Sequence, residues 1–189
     1  MIITVSGVAG SGKTTVCRIL AERLGFEHHY MGGIRRQIAK ERGMTIEEFN
    51  KLGETDPSTD KIVDDKLVEM GKTKDDFIAE GRTAPFFIPE SIKLFIDVDS
   101  MVGAERIYKD LVEKGKIAER NETAAASIEE QAKKIKERMD SDNMRYKKYY
   151  GIDIMDKSKY DLVIDTSHLT PEQVVEKVLE FINDFKPNL

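Results

Sequence analysis

The chain has 189 residues, 40% of them hydrophobic, which is enough for one α/β domain with a real core and too few for a second full domain. A formal net charge of −5 excludes a nucleic-acid scaffold, whose binding face needs a concentrated excess of Lys and Arg, so the basic residues that matter are expected to line one cleft. A single cysteine, Cys17, excludes an internal disulfide, and the short apolar start runs straight into a glycine-rich loop, which predicts neither a secretory nor a membrane segment and a cytoplasmic protein.

Ile2, Ile3 and Val5 predict a short strand buried on both faces. Gly7-Val8-Ala9-Gly10-Ser11-Gly12-Lys13-Thr14 then fits the phosphate-loop spacing G-x-x-x-x-G-K-[ST], with Thr15 following. Glycines at 7, 10 and 12 let consecutive N–H groups turn toward an anion, and the helix after them adds the positive end of its dipole. The same spacing sends Lys13 to the β/γ-phosphates and places the Thr14 hydroxyl to ligate magnesium. The helix is predicted from Lys13 to Leu24, with Val16, Ile19, Leu20 and Leu24 as its apolar stripe and Gly25 as its cap.

A strand near Phe26 to Met31 follows. His28 and His29 face opposite ways on it, and with no third ligand nearby a strand-edge role is expected rather than a metal site. Gly32 and Gly33 are expected to open a helix from Ile34 to Arg42, and Thr45 with Glu48 forms a capping box for the next. Asp56-Pro57 supplies an N-cap and a first-turn proline for a third helix. Phe77 to Arg82 reads as a buried strand ending in a polar cluster, on the edge where open parallel sheets bind ligands.

Ile92 to Val98 is the next strand, and Asp99 or Ser100 caps a helix running toward Lys114-Gly115. Residues 115–126 are polar and alanine-rich without a period. Ser127 and Glu130 predict another capping box, for a helix carrying Ile128, Ala132, Ile135 and Met139, followed by the charged run Arg138 to Lys148. Asp161 to Asp165 is the last strand, and Thr170-Pro171-Glu172-Gln173 caps a final amphipathic helix. Strands alternating with helices imply a parallel sheet with helices on both faces.

A phosphate loop alone leaves switch GTPases, ATP-driven machines and small-molecule kinases open. Transfer between two phosphate-bearing molecules crowds negative charge, which calls for several arginines able to grip phosphate bidentately. Arg36, Arg82, Arg106, Arg138 and Arg145 are placed for that work, whereas Arg18, Arg23 and Arg42 read as solvated helix faces. No Asn-Lys-x-Asp guanine motif is present.

The sequence resembles the nucleoside monophosphate kinases, and within them the short archaeal-type cytidylate kinases, over nearly the whole chain. The resemblance rests on Gly7 to Thr15, Gly32-x-x-x-Arg36, Asp56-Pro57-x-x-Asp60, Glu80-Gly81-Arg82, Ala104-Glu105-Arg106 and Tyr160 to Ser167, and most specifically on Asp142-x-x-Arg145-Tyr146-Lys147-x-Tyr149-Tyr150-Gly151-Ile152-Asp153. It implies a three-layer α/β/α P-loop fold around a five-stranded parallel sheet of order 2-3-1-4-5. The core would comprise 1–31, 73–114 and 158–189, the acceptor-binding region 32–72, and the lid 115–157.

It further implies transfer of the γ-phosphoryl group of ATP, with Mg²⁺, to CMP or dCMP; the protein is expected to be a monomer without nucleic-acid or membrane partners. By the same resemblance Arg36 and Arg82 would hold the CMP phosphate, Arg106 and Arg138 would neutralise the transferred group from the lid side, and Asp142 with Arg145 would read the cytosine. A carboxylate suits that last task, because it can accept from the cytosine 4-amino group that uracil lacks. Three features depart from relatives: Ser141 and Asn143 stand where another arginine is common, the stretch from Gly115 to Glu137 is longer, and Thr83 stands where bacterial relatives have aspartate. The rival readings are a kinase of the same architecture for another monophosphate or a small hydroxylated metabolite, and a non-catalytic nucleotide switch.

Overall fold

A computed structural model of the chain describes residues 1–113, 115, 117, 121–123 and 125–185. Its centre is a five-stranded, wholly parallel sheet of order β2-β3-β1-β4-β5, formed by β1 (Ile2–Gly7), β2 (Glu27–Tyr30), β3 (Phe77–Glu80), β4 (Ile92–Asp97) and β5 (Leu162–Asp165). The connections run through α1 (Lys13–Leu24), α2 (Met31–Glu41), α3 (Ile46–Gly53), α4 (Ser58–Thr73), α5 (Ala84–Phe87), α6 (Ser100–Tyr108) and α7 (Ile128–Tyr150), and α8 (Pro171–Asp184) follows β5. The chain leaves β3 and crosses β1 to build β4, so β1 lies at the point where strand order reverses. Ligands in such sheets bind outside the carboxyl ends of the strands at that point.

Both faces of the sheet are covered. On one, Ile3 and Val5 of β1, Ile78, Leu94 and Ile96 pack with Val16, Cys17 and Leu20 of α1 and with Val174, Val175 and Val178 of α8. On the other, Phe77 and Ala79 pack with Met31, Val63, Leu67, Ala84 and Ile88. Phe77 and Ile78 thus serve opposite layers, which is why β3 is apolar at consecutive positions rather than alternating.

Some boundaries differ from the sequence expectation. Gly32 and Gly33 lie inside the first turn of α2, which begins at Met31. A Cβ at Gly32 would stand 2.7 Å, and at Gly33 2.8 Å, from the ring of Tyr30; these glycines make room for an aromatic ring against backbone, not for a turn. Helix α4 starts one residue later than expected because the Asp56 N–H still donates to Leu52 at 2.9 Å, closing α3; Asp56 Oδ1 then caps the Ser58 N–H at 2.9 Å. The Thr45 and Thr170 capping boxes form as expected. At α7 only half of the box forms: Ser127 accepts from the Glu130 N–H at 3.2 Å, but the Glu130 carboxylate turns to the Ala126 N–H.

The apolar helix and the charged run are one 23-residue helix, closed by Gly151 in the left-handed conformation. After Tyr108 helix α6 widens into a π-helical turn over Lys109–Glu113. Its expected end at Lys114, and residues 116, 118–120 and 124 of the unpatterned 115–126 stretch, lie outside the described residues. Among the described residues no helix is long and apolar enough to cross a membrane.

Candidate active site

One end of the cleft above β1 is made by backbone. Gly7, Gly10 and Gly12 have φ of 137°, 84° and 83°. A Cβ at Gly7 would collide with the Ile96 carbonyl, and one at Gly10 with that of Gly103. Helix α1 begins directly after the loop with no side-chain cap, which leaves its first N–H groups and its dipole directed at the cleft. Lys13 Nζ donates to the Val8 carbonyl and, at 3.4 Å, to Ser11 Oγ. Burial lowers its ammonium to about 8, against the opposing pull of Glu80, so it remains charged at neutral pH.

Thr14 Oγ1 donates to Glu80 Oε1 at 2.8 Å, and His28 Nε2 stands 3.2 Å from Glu80 Oε2. The absence of a third donor near His28, expected from sequence, is corrected here. Cys17 from α1 and Glu80 from β3 both reach it, with all three donor atoms within 4.8 Å of one another. No spacing along the chain announces a group assembled from three elements.

The other end is made by side chains. Arg36 of α2 donates from Nη1 to the Tyr30 hydroxyl and from Nη2 to Glu122 Oε1 at 2.8 Å. Arg138 of α7 places Nη1 3.5 Å from the same oxygen. Arg82, just beyond β3, pairs through Nη1 with Asp142 Oδ2. Burial, reinforced by neighbouring guanidinium groups, lowers Arg82 to about 9 and Arg138 to about 10; both stay charged at neutral pH. Loop and arginines line one cleft of about 910 Å³, at the upper end of small-ligand sites. The cavity is thus lined by backbone N–H groups and guanidinium donors, chemistry suited to anions.

The model of the cytidylate kinase-like family matches residues 2–168. The chain belongs to the cytidylate kinase-like family. It is 43% identical to the cytidylate kinase of Pyrococcus furiosus over 188 residues, covering 99% of this chain and 91% of that protein. With the cytidylate kinase of Pyrococcus abyssi it shares 45% identity over 175 residues, 92% of this chain and 89% of that one. Among solved structures, shikimate kinase from Acinetobacter baumannii in complex with shikimate superposes with a TM-score of 0.61 at 18% identity, covering 99% of this chain and 95% of that one, a likeness of fold.

Within this cytidylate kinase-like chain the structure gathers Arg36, Arg82, Arg138 and Asp142 around the cleft, opposite the loop residues Ala9 to Thr15. Arg106 is also in the cleft wall but on the loop side: it donates to the Thr166 carbonyl at 2.9 Å, to Thr166 Oγ1 at 3.2 Å and to the Gly10 carbonyl at 3.5 Å. Both Arg106 and Arg138 line the cleft. Arg145 departs from the expectation. It is 0% exposed, and its donors go to Asp60 at 2.9 and 3.3 Å, to Asp142 at 2.6 Å, to the Asn50 carbonyl at 3.3 Å and to Ser141 Oγ at 3.2 Å. With every N–H engaged behind Asp142, it positions that carboxylate and does not itself face the cleft.

Sequence reasoning named Glu80, Asp60 and the stretch holding Thr166 without giving them a role, and passed over Glu122 and the buried cleft residues Arg35 and Asp64. For Glu80 a signal existed, since an acid at the carboxyl end of a buried central strand has little structural reason to be there. Arg18, Arg23 and Arg42 are exposed, as expected.

Proposed function

We infer that the chain is a cytidylate kinase, transferring the γ-phosphoryl group of ATP to CMP or dCMP. The observation that carries this is the opposition of a backbone-built phosphate loop and a cluster of partly buried arginines across one cleft, in a chain similar to cytidylate kinases along nearly its whole length. The acceptor is a phosphate, largely ionised at pH 7, so the reaction asks less for a base than for alignment and charge neutralisation. The loop N–H groups and Lys13 hold the β/γ-phosphates of the donor; Arg36 and Arg82 hold the acceptor phosphate; Arg138 lies where the transferred group passes. Arg106, tied to Gly10 and Thr166, steadies the donor side.

Magnesium fits the residues present: the Thr14 hydroxyl and Glu80 carboxylate, in mutual contact at 2.8 Å, offer the hard oxygen donors this ion takes alongside water and phosphate. When bound, it offsets the charge of the β- and γ-phosphates. In this reading residues 32–72 form the acceptor region and 115–157 the lid. The protein works as a monomer, because both ends of the cleft come from one chain, and in the cytoplasm, where MgATP is supplied and a lone thiol such as Cys17 stays reduced.

The test is ADP release from MgATP with CMP, dCMP, UMP, AMP, GMP and shikimate as acceptors. CMP or dCMP is expected to give the highest kcat/KM. Faster turnover of shikimate would overturn the reading in favour of a metabolite kinase, and no turnover of any acceptor would favour a nucleotide switch.

A further inference from the structure

The cleft wall between α2 and α4 holds two buried polar atoms without a partner among the described residues, Arg35 Nη2 and Asp64 Oδ2. Both residues line the cavity, yet they are only 9% and 5% exposed. Each is held by its other atoms. Arg35 donates from Nε to Asn50 Oδ1 at 2.9 Å and from Nη1 to the Thr59 carbonyl at 2.9 Å, with Asp60 Oδ1 2.8 Å away, and its guanidinium lies over the Phe49 ring. Asp64 Oδ1 accepts from Thr83 Oγ1 at 2.7 Å. The Tyr150 hydroxyl stands by the same carboxylate and helps to hold it charged, while Oδ2 meets no hydrogen bond of full geometry. One fixed donor and one fixed acceptor are thus left over, in a wall where an unmet polar group is costly.

We propose that Arg35 and Asp64 read the acceptor base, Asp64 Oδ2 accepting from the cytosine 4-amino group and Arg35 Nη2 donating to the cytosine 2-carbonyl. The assignment rests on the cytidylate kinase reading and moves base recognition from Asp142, whose two oxygens are already taken by Arg82 and Arg145, to groups that are spare. The pairing has the right polarity. Cytosine offers a donor at position 4 and an acceptor at position 2; uracil offers acceptors at both, so its 4-carbonyl would face Asp64 with no proton between them. The neighbouring side chain Arg36 reaches the phosphate end of the cleft from the same helix, which places base and phosphate recognition on successive residues of α2. Burial also pushes the Asp64 carboxyl up to about 6, against the opposing pull of Thr83 and Tyr150.

The experiment is kcat/KM for CMP and for UMP under saturating MgATP, in wild type, Asp64→Asn, Arg35→Lys and Asp142→Asn, with the MgATP dissociation constant measured alongside. Asp64→Asn is expected to lower CMP efficiency by about tenfold to a hundredfold while UMP is unchanged or improved, collapsing the ratio. Arg35→Lys should weaken both nucleotides together, because the 2-carbonyl is common to them. Thr83→Val, which frees Asp64 to rotate, should narrow the ratio in the same direction by a smaller factor, and supplies the answer if Asp64→Asn does not fold. A CMP-to-UMP ratio unchanged in Asp64→Asn and Thr83→Val, or one that collapses only in Asp142→Asn, overturns the proposal. Wild-type enzyme that fails to phosphorylate CMP at all would remove the cytidylate kinase reading instead, before any variant is compared.

Discussion

In the function proposed above, the two ends of the cleft bind anions by different means. At the donor end, charge complementarity is carried by the backbone of one contiguous stretch, held open by glycines whose φ values admit no side chain without strain, and by one lysine. At the acceptor end it is carried by guanidinium groups from α2, the turn after β3 and α7, and these meet carboxylates: Glu122 for Arg36 and Arg138, Asp142 for Arg82. Backbone N–H groups pointing into a concave loop cannot swing toward a competing acid. Long side chains can, so acceptor binding is an exchange of partners whose net strength is smaller than its gross contacts suggest.

The comparison is broken most sharply at Lys13. Lys13→Ala is expected to lower kcat on the order of 10²-fold or more, as loss of a preorganised electrostatic contact does. The melting temperature should hold, because the loop is shaped by its glycines. Near wild-type turnover would remove the donor end from catalysis.

A second prediction concerns what the acceptor end costs in stability. The Asp64 carboxyl has its folded-state value near 6, above the ordinary 3.8, chiefly through burial. Below pH 3.8 it is protonated in folded and unfolded chains alike and contributes nothing. Between 3.8 and 6 the unfolded chain loses the proton while the folded one keeps it, so stability falls across that window and the deficit is complete above it. Asp64→Asn should therefore be more stable than wild type at pH 7, with a ceiling of about 3 kcal/mol at 1.36 kcal/mol per pH unit, and the gap should close by pH 4. Urea unfolding of both proteins at pH 4 and 7 measures this; a gap that widens toward acid contradicts it.

Smaller effects separate the ends further. Arg82→Lys keeps the charge but not the planar fork, so CMP efficiency should drop about tenfold with MgATP affinity unaltered; a change confined to MgATP would transfer Arg82 to the donor end. Glu122→Gln should lower the KM for CMP by roughly threefold, the scale of one ion pair's net strength, because Arg36 and Arg138 lose a competitor. A raised KM would mean that Glu122 holds those arginines in their working positions.

The same contrast governs what could be read from the chain alone. The phosphate loop is a run of adjacent residues whose spacing is its geometry, and the strands of the sheet show as short apolar runs, so both are visible in one dimension. The acceptor end depends on which way a helix faces. Arg35 and Arg36 are neighbours on α2, yet the first is anchored to Asn50 and Thr59 while the second reaches Glu122; sequence marked only Arg36. Arg145 carries the most specific motif of the chain but is wholly engaged behind the cleft, since a 3.6-residue period says where a residue lies on α7 and nothing about what α3 and α4 bring against it. The misplaced start of α2 has a similar origin: Gly32 and Gly33 signal backbone freedom, whereas here they accommodate the ring of Tyr30, visible only once β2 and α2 are folded together.

Cys17 gives the molecule a built-in clock. It is the single cysteine of the chain, wholly buried between α1 and the sheet, and burial pushes its thiol well up. A thiol reagent can reach it only in molecules where α1 has lifted from the sheet, so its rate of labelling under native conditions counts those openings. Because α1 grows directly out of the phosphate loop, MgATP bound at the loop should slow that clock in proportion to its occupancy, turning one inert side chain into a reporter of donor binding that needs no catalysis at all.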